Sequence, residues 1–252
     1  MAMTASLCLN ADLGELAGPE GRALDAAMLE VVTRCNIACG GHAGDAQVMR
    51  QTVRTAMKHG VQIGAHPSYP DMENFGRRSL VINPAELATS LDAQTQLLLD
   101  LAQEEGARVE HLKPHGALYN DAARDAGLAQ LIAGVAARAG IGELIGPPHS
   151  QLEQAARSAG IRFLAEGFAD RSYEADGALT PRSMPGAVLE DTAAVLAQAL
   201  AFAREGRVAV RTGGHITLRA GTLCLHSDTP GAPGHARGIR AGLEQAGIKV
   251  RA

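Results

Sequence analysis

The chain repeats one local pattern seven times: a short apolar segment, a polar loop and then an amphipathic helical segment. The apolar segments span residues 7–12, 35–39, 61–65, 108–112, 143–146, 161–165 and 222–226. Strands that alternate with helices pair in parallel, because each crossover is right-handed and returns the chain in the same direction. The pattern therefore predicts an α/β protein built on a parallel sheet.

The carboxyl ends of the predicted strands carry polar side chains. These residues are Asp12, His42, His66, Lys113, His115, Glu166, Asp170, His226 and Asp228. An open sheet gathers such groups mainly at its switch point, whereas a barrel gathers them around one mouth. We therefore predict a (β/α) barrel with seven strands, one unit fewer than the usual eight, that forms one domain over residues 1–252, with an open doubly wound sheet as the alternative.

Helices are predicted over residues 22–33, 45–59, 84–106, 120–139, 150–160, 186–205 and 231–246. Asp45 has the position of an N-cap, and Asn83 precedes Pro84 as a cap precedes the first helical residue. Residues 208–210 and 216–218 are expected to form a small hairpin around Gly213 and Gly214.

Composition narrows the class of partner. Hydrophobic residues make up 46% of the 252 residues, and the formal net charge of −4 comes without a basic run. We therefore do not expect nucleic acid or a membrane surface as a partner, and we expect a small molecule instead. No leader or spanning segment is seen, which predicts a cytoplasmic location. The four cysteines lack C-x-x-C spacing and are predicted to be buried free thiols.

The segment from Val61 to Asp71 places His66 where a strand stops. Pro67 holds the preceding residue in an extended conformation, so the imidazole should project from a stiff strand end. Gly64 within the strand is expected to let another backbone approach closely.

Asp12, His42 and His66 have the residue types of a divalent-metal site with open positions. In the alternative, Asp12 caps a helix while the histidines bind substrate or backbone carbonyls. His111 and His115 are spaced as in H-x-x-x-H, but Pro114 excludes the helix that would place both on one face.

Lys113 and His115 flank Pro114 at the end of the fourth strand. An ammonium beside an imidazole can stabilise an oxyanion and move a proton. The alternative is an exposed lysine beside a loop histidine. The sequence contains no G-x-x-x-x-G-K-[ST] phosphate loop, no G-x-G-x-x-G and no G-x-S-x-G, so no motif supports nucleotide binding by this chain alone.

Six segments together resemble the LamB/YcsF family. They are Leu9-Asn-Ala-Asp-Leu-Gly-Glu15, Asn36-Ile-Ala-Cys-Gly-Gly-His-Ala-Gly-Asp45, Gly64-Ala-His-Pro-Ser-Tyr-Pro-Asp71 with Phe75-Gly-Arg-Arg78, Lys113-Pro-His-Gly-Ala-Leu-Tyr-Asn120, Phe168-Ala-Asp-Arg171 with Tyr173, and Cys224-Leu-His-Ser-Asp-Thr-Pro-Gly-Ala232. The sequence departs from the family pattern at Cys8, Gly41 and Ser227.

The resemblance implies an irregular seven-stranded (β/α) barrel of the glycoside hydrolase/deacetylase-like superfamily. It also implies an A subunit of ATP-dependent 5-oxoprolinase, which works with B and C subunits on 5-oxo-L-proline (pyroglutamate). ATP would be a co-substrate of the complex. The resemblance leaves open whether a divalent metal is bound and whether the chain forms a homo-oligomer. Two rival functions are a metal-dependent deacetylase of the same superfamily and a non-catalytic, lactam-binding regulatory subunit.

Under this resemblance, the matching segments take roles in lactam hydrolysis. His66 or Asp170 is assigned to water activation, Lys113 to charge stabilisation and His115 to proton transfer. Arg77, Arg78 or Arg171 is assigned to the substrate carboxylate. The other predicted substrate-binding residues are Asn36, Tyr119, Tyr173, His226 and Asp228.

Overall fold

The computed structural model describes residues 6–225 and 231–252. Strands and helices alternate along most of this part of the chain. In order they are β1 (Ser6–Leu13), α1 (Gly18–Leu29), β2 (Arg34–Ala38), α2 (Ala46–His59), β3 (Gln62–His66), α3 (Pro84–Glu104), β4 (Val109–Leu112), α4 (Gly116–Ala122), α5 (Ala126–Arg138), β5 (Glu143–Gly146), α6 (Gln151–Ser158), β6 (Arg162–Phe168), α7 (Thr192–Glu205), β7 (Arg207–Ala209), β8 (His215–Thr217), β9 (Thr222–Cys224), α8 (Ala232–Gln245) and β10 (Lys249–Val250).

Within the described ranges, seven parallel strands close into a barrel. Strands β1 to β6 lie side by side in chain order, β9 follows β6, and β9 pairs in turn with β1. The closure confirms the predicted barrel and excludes the open sheet. The predicted hairpin is confirmed as the antiparallel pair β7 and β8. The sequence did not indicate β10, which adds to β1 in parallel.

Three of the predicted helices differ from the structure in where they begin, end or break. Helix α1 begins at Gly18, with Pro19 in its first turn, and ends at Leu29. The helix predicted to run to residue 139 is broken into α4 and α5, because the Asp125 side chain accepts the Leu128 N–H and starts a new helix. Helix α7 begins at Thr192 rather than residue 186, because Asp191 caps it by accepting the Ala194 N–H.

Two predicted caps are confirmed. Asp45 accepts the Val48 N–H at 2.8 Å and begins α2. Asn83 accepts the Ala85 N–H at 2.8 Å, and Pro84 is the first residue of α3. These caps satisfy backbone donors that a helix leaves unpaired in its first turn. They therefore determine the residue at which each helix begins after its loop.

The core lies between the barrel wall and the surrounding helices. The predicted apolar face of α3 is buried there through Leu87, Leu91, Leu98 and Leu101. All four cysteines are buried free thiols, as predicted. In the described part of the chain, no helix is long and apolar enough to cross a bilayer.

Candidate active site at the carboxyl ends of the barrel strands

A cavity of about 580 Å³ opens at the carboxyl ends of the strands. Several side chains that the sequence predicted for the site line this cavity. They are Asp12, His66, Arg77, Lys113, His115, Tyr119, Arg171 and Tyr173. The barrel thus brings together residues from β1, β3 and β6 and from the loops that follow β3, β4 and β6.

Lys113 lies at the bottom of the cavity with 2% of its surface exposed. Its Nζ is 2.9 Å from Asp12 Oδ1 and 2.9 Å from Glu166 Oε1. Burial opposes the charged form, but the Asp12 and Glu166 carboxylates and Cys224 hold the pKa of Lys113 well above its ordinary value. The alternative of an exposed lysine is therefore wrong, and the cavity contains a buried ammonium.

Lys113, Asp12 and Glu166 form an ion triad, and side-chain amides beneath it donate hydrogen bonds to its carboxylates. Asn10 Nδ2 donates to Glu166 Oε1 at 3.0 Å, and Asn36 Nδ2 donates to Asp12 Oδ1 at 2.7 Å. Asn36 was predicted to bind substrate, but it is fully buried beneath Asp12 and is not among the residues that line the cavity. Its position makes it a support for the Asp12 carboxylate.

His111 completes the network through Nε2, which lies 2.9 Å from Asn36 Oδ1. Because the Asn36 amide nitrogen donates elsewhere, its oxygen accepts and His111 Nε2 is the donor. The ring packs directly over Gly64, where a Cβ would overlap the imidazole. The prediction that a backbone approaches Gly64 is therefore wrong, since the side chain of His111 takes that space.

Three histidines converge beside the ion triad. His66 Nδ1 lies 2.7 Å from the Lys113 carbonyl oxygen, and His115 Nε2 lies 2.9 Å from the Phe75 carbonyl oxygen. The remaining nitrogens, His66 Nε2 and His115 Nδ1, are 3.0 Å apart. His42 stacks on His115 with ring centroids 3.6 Å apart. Burial lowers the pKa of His42 to about 4, so this imidazole is neutral at physiological pH.

Glu15 joins these histidines, although sequence reasoning assigned it no role beyond membership in the first family segment. Its Oε1 lies 3.0 Å from His42 Nε2, 3.2 Å from His115 Nδ1 and 3.8 Å from His66 Nε2. Burial opposes its ionisation, but hydrogen bonds with His115 and His42 hold the pKa of Glu15 well below its ordinary value. Glu15 is thus a carboxylate.

The cluster of Glu15, His42, His66 and His115 has the donor atoms of a divalent-metal site. The four donor atoms all lie within 4.8 Å of one another. Asp12, the carboxylate that the sequence placed in the metal site, lies beside this group with Oδ2 3.3 Å from His66 Nε2. Its other oxygen accepts from Lys113 and Asn36.

Two buried polar atoms of the cavity wall have no hydrogen-bond partner among the described residues. They are the Tyr119 hydroxyl and Glu166 Oε2. Burial and the Glu166 carboxylate, through its charge and a side-chain interaction with the hydroxyl, raise the pKa of Tyr119. Buried polar atoms are nearly always paired, so these two are suited to receive polar atoms of a ligand.

The three predicted arginines differ in position. Arg77 is exposed at the rim with its guanidinium 4.9 Å from the Phe75 ring centroid. Arg171 lines the cavity, but its Nε and Nη2 donate to the carbonyl oxygens of Ala187 and Thr180. Arg78 is exposed and is not among the residues that line the cavity.

The remaining predicted residues are partly outside the cavity. The Tyr173 side chain lines it, but its hydroxyl accepts the Phe168 N–H at 2.7 Å. Asp170 is half-buried in the turn after β6 and does not line the cavity. His226 and Asp228 lie outside the described residues.

Asp25 positions the loop that carries Glu15. Its Oδ2 accepts the N–H of Gly14 at 2.9 Å, and Gly14 adopts a positive φ of 75° that side chains rarely allow. Burial raises the pKa of Asp25 to about 6, so ionising it costs the folded state free energy.

We expect Asp25→Asn to stabilise the protein at neutral pH. The folded pKa of Asp25 lies about two units above the ordinary value of 3.8. The cost is absent below pH 3.8, grows as pH rises to about 6, and then reaches about 3 kcal/mol. Asparagine keeps an acceptor for Gly14 without the charge. Urea unfolding at about pH 7.5 and about pH 4 checks this, and a gain that is equal at both pH values would contradict it.

Comparison with known proteins agrees with this geometry. A protein from Methylococcus capsulatus, named as the A subunit of 5-oxoprolinase, is 48% identical over 252 residues, which cover 99% of this chain and 96% of that protein. The crystal structure of a lactam utilization protein from Thermus thermophilus is 39% identical with a TM-score of 0.89, over 98% of this chain and 99% of that one.

A solved structure with much lower sequence identity shares the same fold. The peptidoglycan deacetylase PdaC from Bacillus subtilis is 11% identical with a TM-score of 0.50, over 99% of this chain and 88% of that one, and this likeness concerns the fold alone. This likeness shows that the barrel fold is shared with that deacetylase. The LamB/YcsF family profile matches residues 7–252. A match over almost the whole length, with the motif residues gathered at one cavity, shows that the chain belongs to the LamB/YcsF family.

Proposed function

We propose that this chain is the A subunit of an ATP-dependent 5-oxoprolinase. With B and C subunits it would open 5-oxo-L-proline to L-glutamate while ATP is hydrolysed to ADP and phosphate. The observation that carries the proposal is the near-full-length identity to relatives named as the A subunit of 5-oxoprolinase. The buried, charged cavity provides the chemistry that such a reaction requires.

The reaction explains why ATP is needed. Water must attack an amide carbon whose resonance makes it a poor electrophile, and phosphorylation of the carbonyl oxygen removes that resonance. Overall, the lactam, ATP and two water molecules yield glutamate, ADP and phosphate. The first water forms a C–O bond to the activated carbon, the ring C–N bond breaks and the ring nitrogen takes a proton, which leaves an acyl phosphate. The second water hydrolyses this acyl phosphate to the glutamate carboxylate and phosphate. The chain has no phosphate loop, so we place ATP on the partner subunits.

Lys113 is assigned to the negative charge that develops on the reacting oxygen. A fixed cation in a site with little water is worth more than in solution and needs no reorganisation during the reaction. Asp12 and Glu166 hold its Nζ at 2.9 Å each, which supports this assignment. The two carboxylates keep the ammonium charged and pointed into the cavity.

Water activation and proton transfer are assigned to the histidine side of the cavity. His66 and His115 both line it, whereas Asp170 does not, so His66 is the better candidate for water activation. His115 keeps its proposed role in proton transfer. Arg77 at the rim is the proposed partner of the substrate carboxylate, because Arg171 is engaged by carbonyl oxygens and Arg78 lies away from the cavity.

Reconstitution tests the proposal. We expect glutamate from 5-oxo-L-proline, in one-to-one ratio with ADP, only when this chain, B and C subunits and ATP are all present. Acetate release from an N-acetylated sugar without ATP would favour the deacetylase instead. Normal turnover by a complex carrying Lys113→Ala or His115→Ala would favour a regulatory subunit. Mass spectrometry of the products distinguishes these outcomes.

A further inference from the structure

We propose that Glu15, His42, His66 and His115 bind one first-row divalent cation, such as Zn²⁺, at the carboxyl end of the barrel. Three imidazoles with one carboxylate suit such ions better than Mg²⁺ or Ca²⁺, which prefer oxygen ligands. The site goes beyond the proposed lactam reaction, and its test does not depend on that activity.

The outer contacts of two histidines direct their lone pairs at one point. His66 Nδ1 and His115 Nε2 each face a backbone carbonyl oxygen, at 2.7 and 2.9 Å. A carbonyl only accepts, so both of these nitrogens carry hydrogen. In the neutral rings, His66 Nε2 and His115 Nδ1 then present lone pairs to each other at 3.0 Å. Metal-binding histidines are commonly oriented by this kind of outer hydrogen bond.

The donor-atom distances fit a shared ion, and the His42 ring, which stacks parallel on His115 with centroids 3.6 Å apart, has to turn for both lone pairs to reach it. Ligands about 2.0–2.1 Å from a tetrahedral Zn²⁺ are about 3.3 Å from one another. The corresponding distances here are 3.0 Å between His66 and His115, 3.0 Å between His42 and Glu15, 3.2 Å between His115 and Glu15, and 3.8 Å between His66 and Glu15.

The charges of the groups around Lys113 favour a cation in this gap. Asp12, Glu15 and Glu166 are three carboxylates, and Lys113 is the ammonium that faces them. With neutral imidazoles, three negative charges and one positive charge leave an excess of two negative charges. A divalent cation between the histidines and Glu15 would offset the excess of these four groups. Buried charge is generally paired or bound to a metal.

An ion held here would supply a Lewis acid that lowers the pKa of water next to Lys113. With the ion bound, His66 and His115 would be ligands instead of the base and the proton donor proposed above, and Asp12 would remain the partner of Lys113. The sequence predicted Asp12 as the carboxylate ligand of the metal, whereas the structure points to Glu15. Variants of the two carboxylates can therefore be compared for metal binding.

The test measures metal binding by the full-length chain. After chelator treatment and dialysis, Zn²⁺ is titrated by calorimetry and Co²⁺ by its visible absorption. We expect one ion per chain, with a Co²⁺ spectrum of low coordination number, and X-ray absorption showing about three imidazole ligands on Zn²⁺. Glu15→Gln and His42→Ala should each weaken Zn²⁺ binding by at least about 100-fold, because loss of even an outer partner of a ligand costs about 10–100-fold.

Matched controls separate the site from general effects. His149→Ala removes an exposed cavity histidine outside the cluster and should leave Zn²⁺ affinity unchanged. Asp12→Asn should weaken Zn²⁺ binding less than tenfold, a loss about one order of magnitude smaller than that of the ligand variants. Zn²⁺-dependent thermal stabilisation of each variant shows that it is folded. Absence of stoichiometric binding, unchanged affinity in Glu15→Gln, or a greater loss in Asp12→Asn than in Glu15→Gln would overturn the proposal.

Discussion

Lys113→Met is expected to lower the turnover of the reconstituted complex by about 10²–10³-fold, the loss seen when a preorganised charge stabiliser is removed. Methionine keeps the length and the apolar stem of lysine but removes the ammonium. The developing negative charge would then meet only the carboxylates of Asp12 and Glu166 in the place where Nζ lies 2.9 Å from each. Glutamate formation at saturating 5-oxo-L-proline and ATP measures the effect.

The same substitution also bears on stability. Removing one member of a buried ion group costs about 3–5 kcal/mol, because the other charges stay buried without a partner. Adding Glu166→Gln to Lys113→Met removes one of those charges, so we expect stability in urea to recover in part while activity does not. Lys58→Met, on the exposed face of α2, is the matched control. Turnover within tenfold of normal in Lys113→Met would rule out its proposed role.

Glu166→Gln is expected to lower kcat/KM by about 10–100-fold, since a hydrogen bond to a charged group contributes about 1.5–3 kcal/mol. Glu166 Oε1 already accepts from Asn10 and contacts Lys113, whereas Oε2 has no partner among the described residues. We assign Oε2 to the ring N–H of the lactam. Steady-state kinetics of the complex with varied 5-oxo-L-proline measures the change.

Tyr119→Phe is the companion variant for this wall of the cavity. The Tyr119 hydroxyl has no well-formed hydrogen bond among the described residues, and its removal loses only the weak interaction with Glu166, so the free energy of unfolding should change little. A loss of up to about tenfold in kcat/KM without loss of stability would place this atom on the ligand. Glu86→Gln, an exposed carboxylate in the first turn of α3, serves as the control for charge. An unchanged kcat/KM in Glu166→Gln would contradict the assignment of Glu166 Oε2 to the ring N–H of the lactam.

The barrel could be predicted from the sequence because its signals are local. Apolar runs of strand length, helix caps such as Asp45 and Asn83, and polar residues at strand ends each depend on a few neighbouring positions. Parallel pairing then forces all carboxyl ends to one side. These local signals suffice to place Asp12, His66, Lys113 and His115 at a common mouth.

The partners of each side chain depended on contacts between distant segments. Asn36 and Glu166 both follow the strand pattern, yet one is buried beneath Asp12 while the other reaches Lys113. Alternation along a strand predicts which side of the barrel wall a residue faces. It does not predict which of several inward side chains lies above another.

By itself, the sequence determined the barrel, its seven strands, and the family to which its motifs belong, because periodicity and motif order are properties of the chain. Only the tertiary structure decided that Lys113 is buried between two carboxylates and that Glu15 faces three histidines. The physical reason is that loop direction after each strand sets these contacts. At Gly14, a positive φ and the hydrogen bond with Asp25 hold the backbone from which Glu15 reaches the cluster.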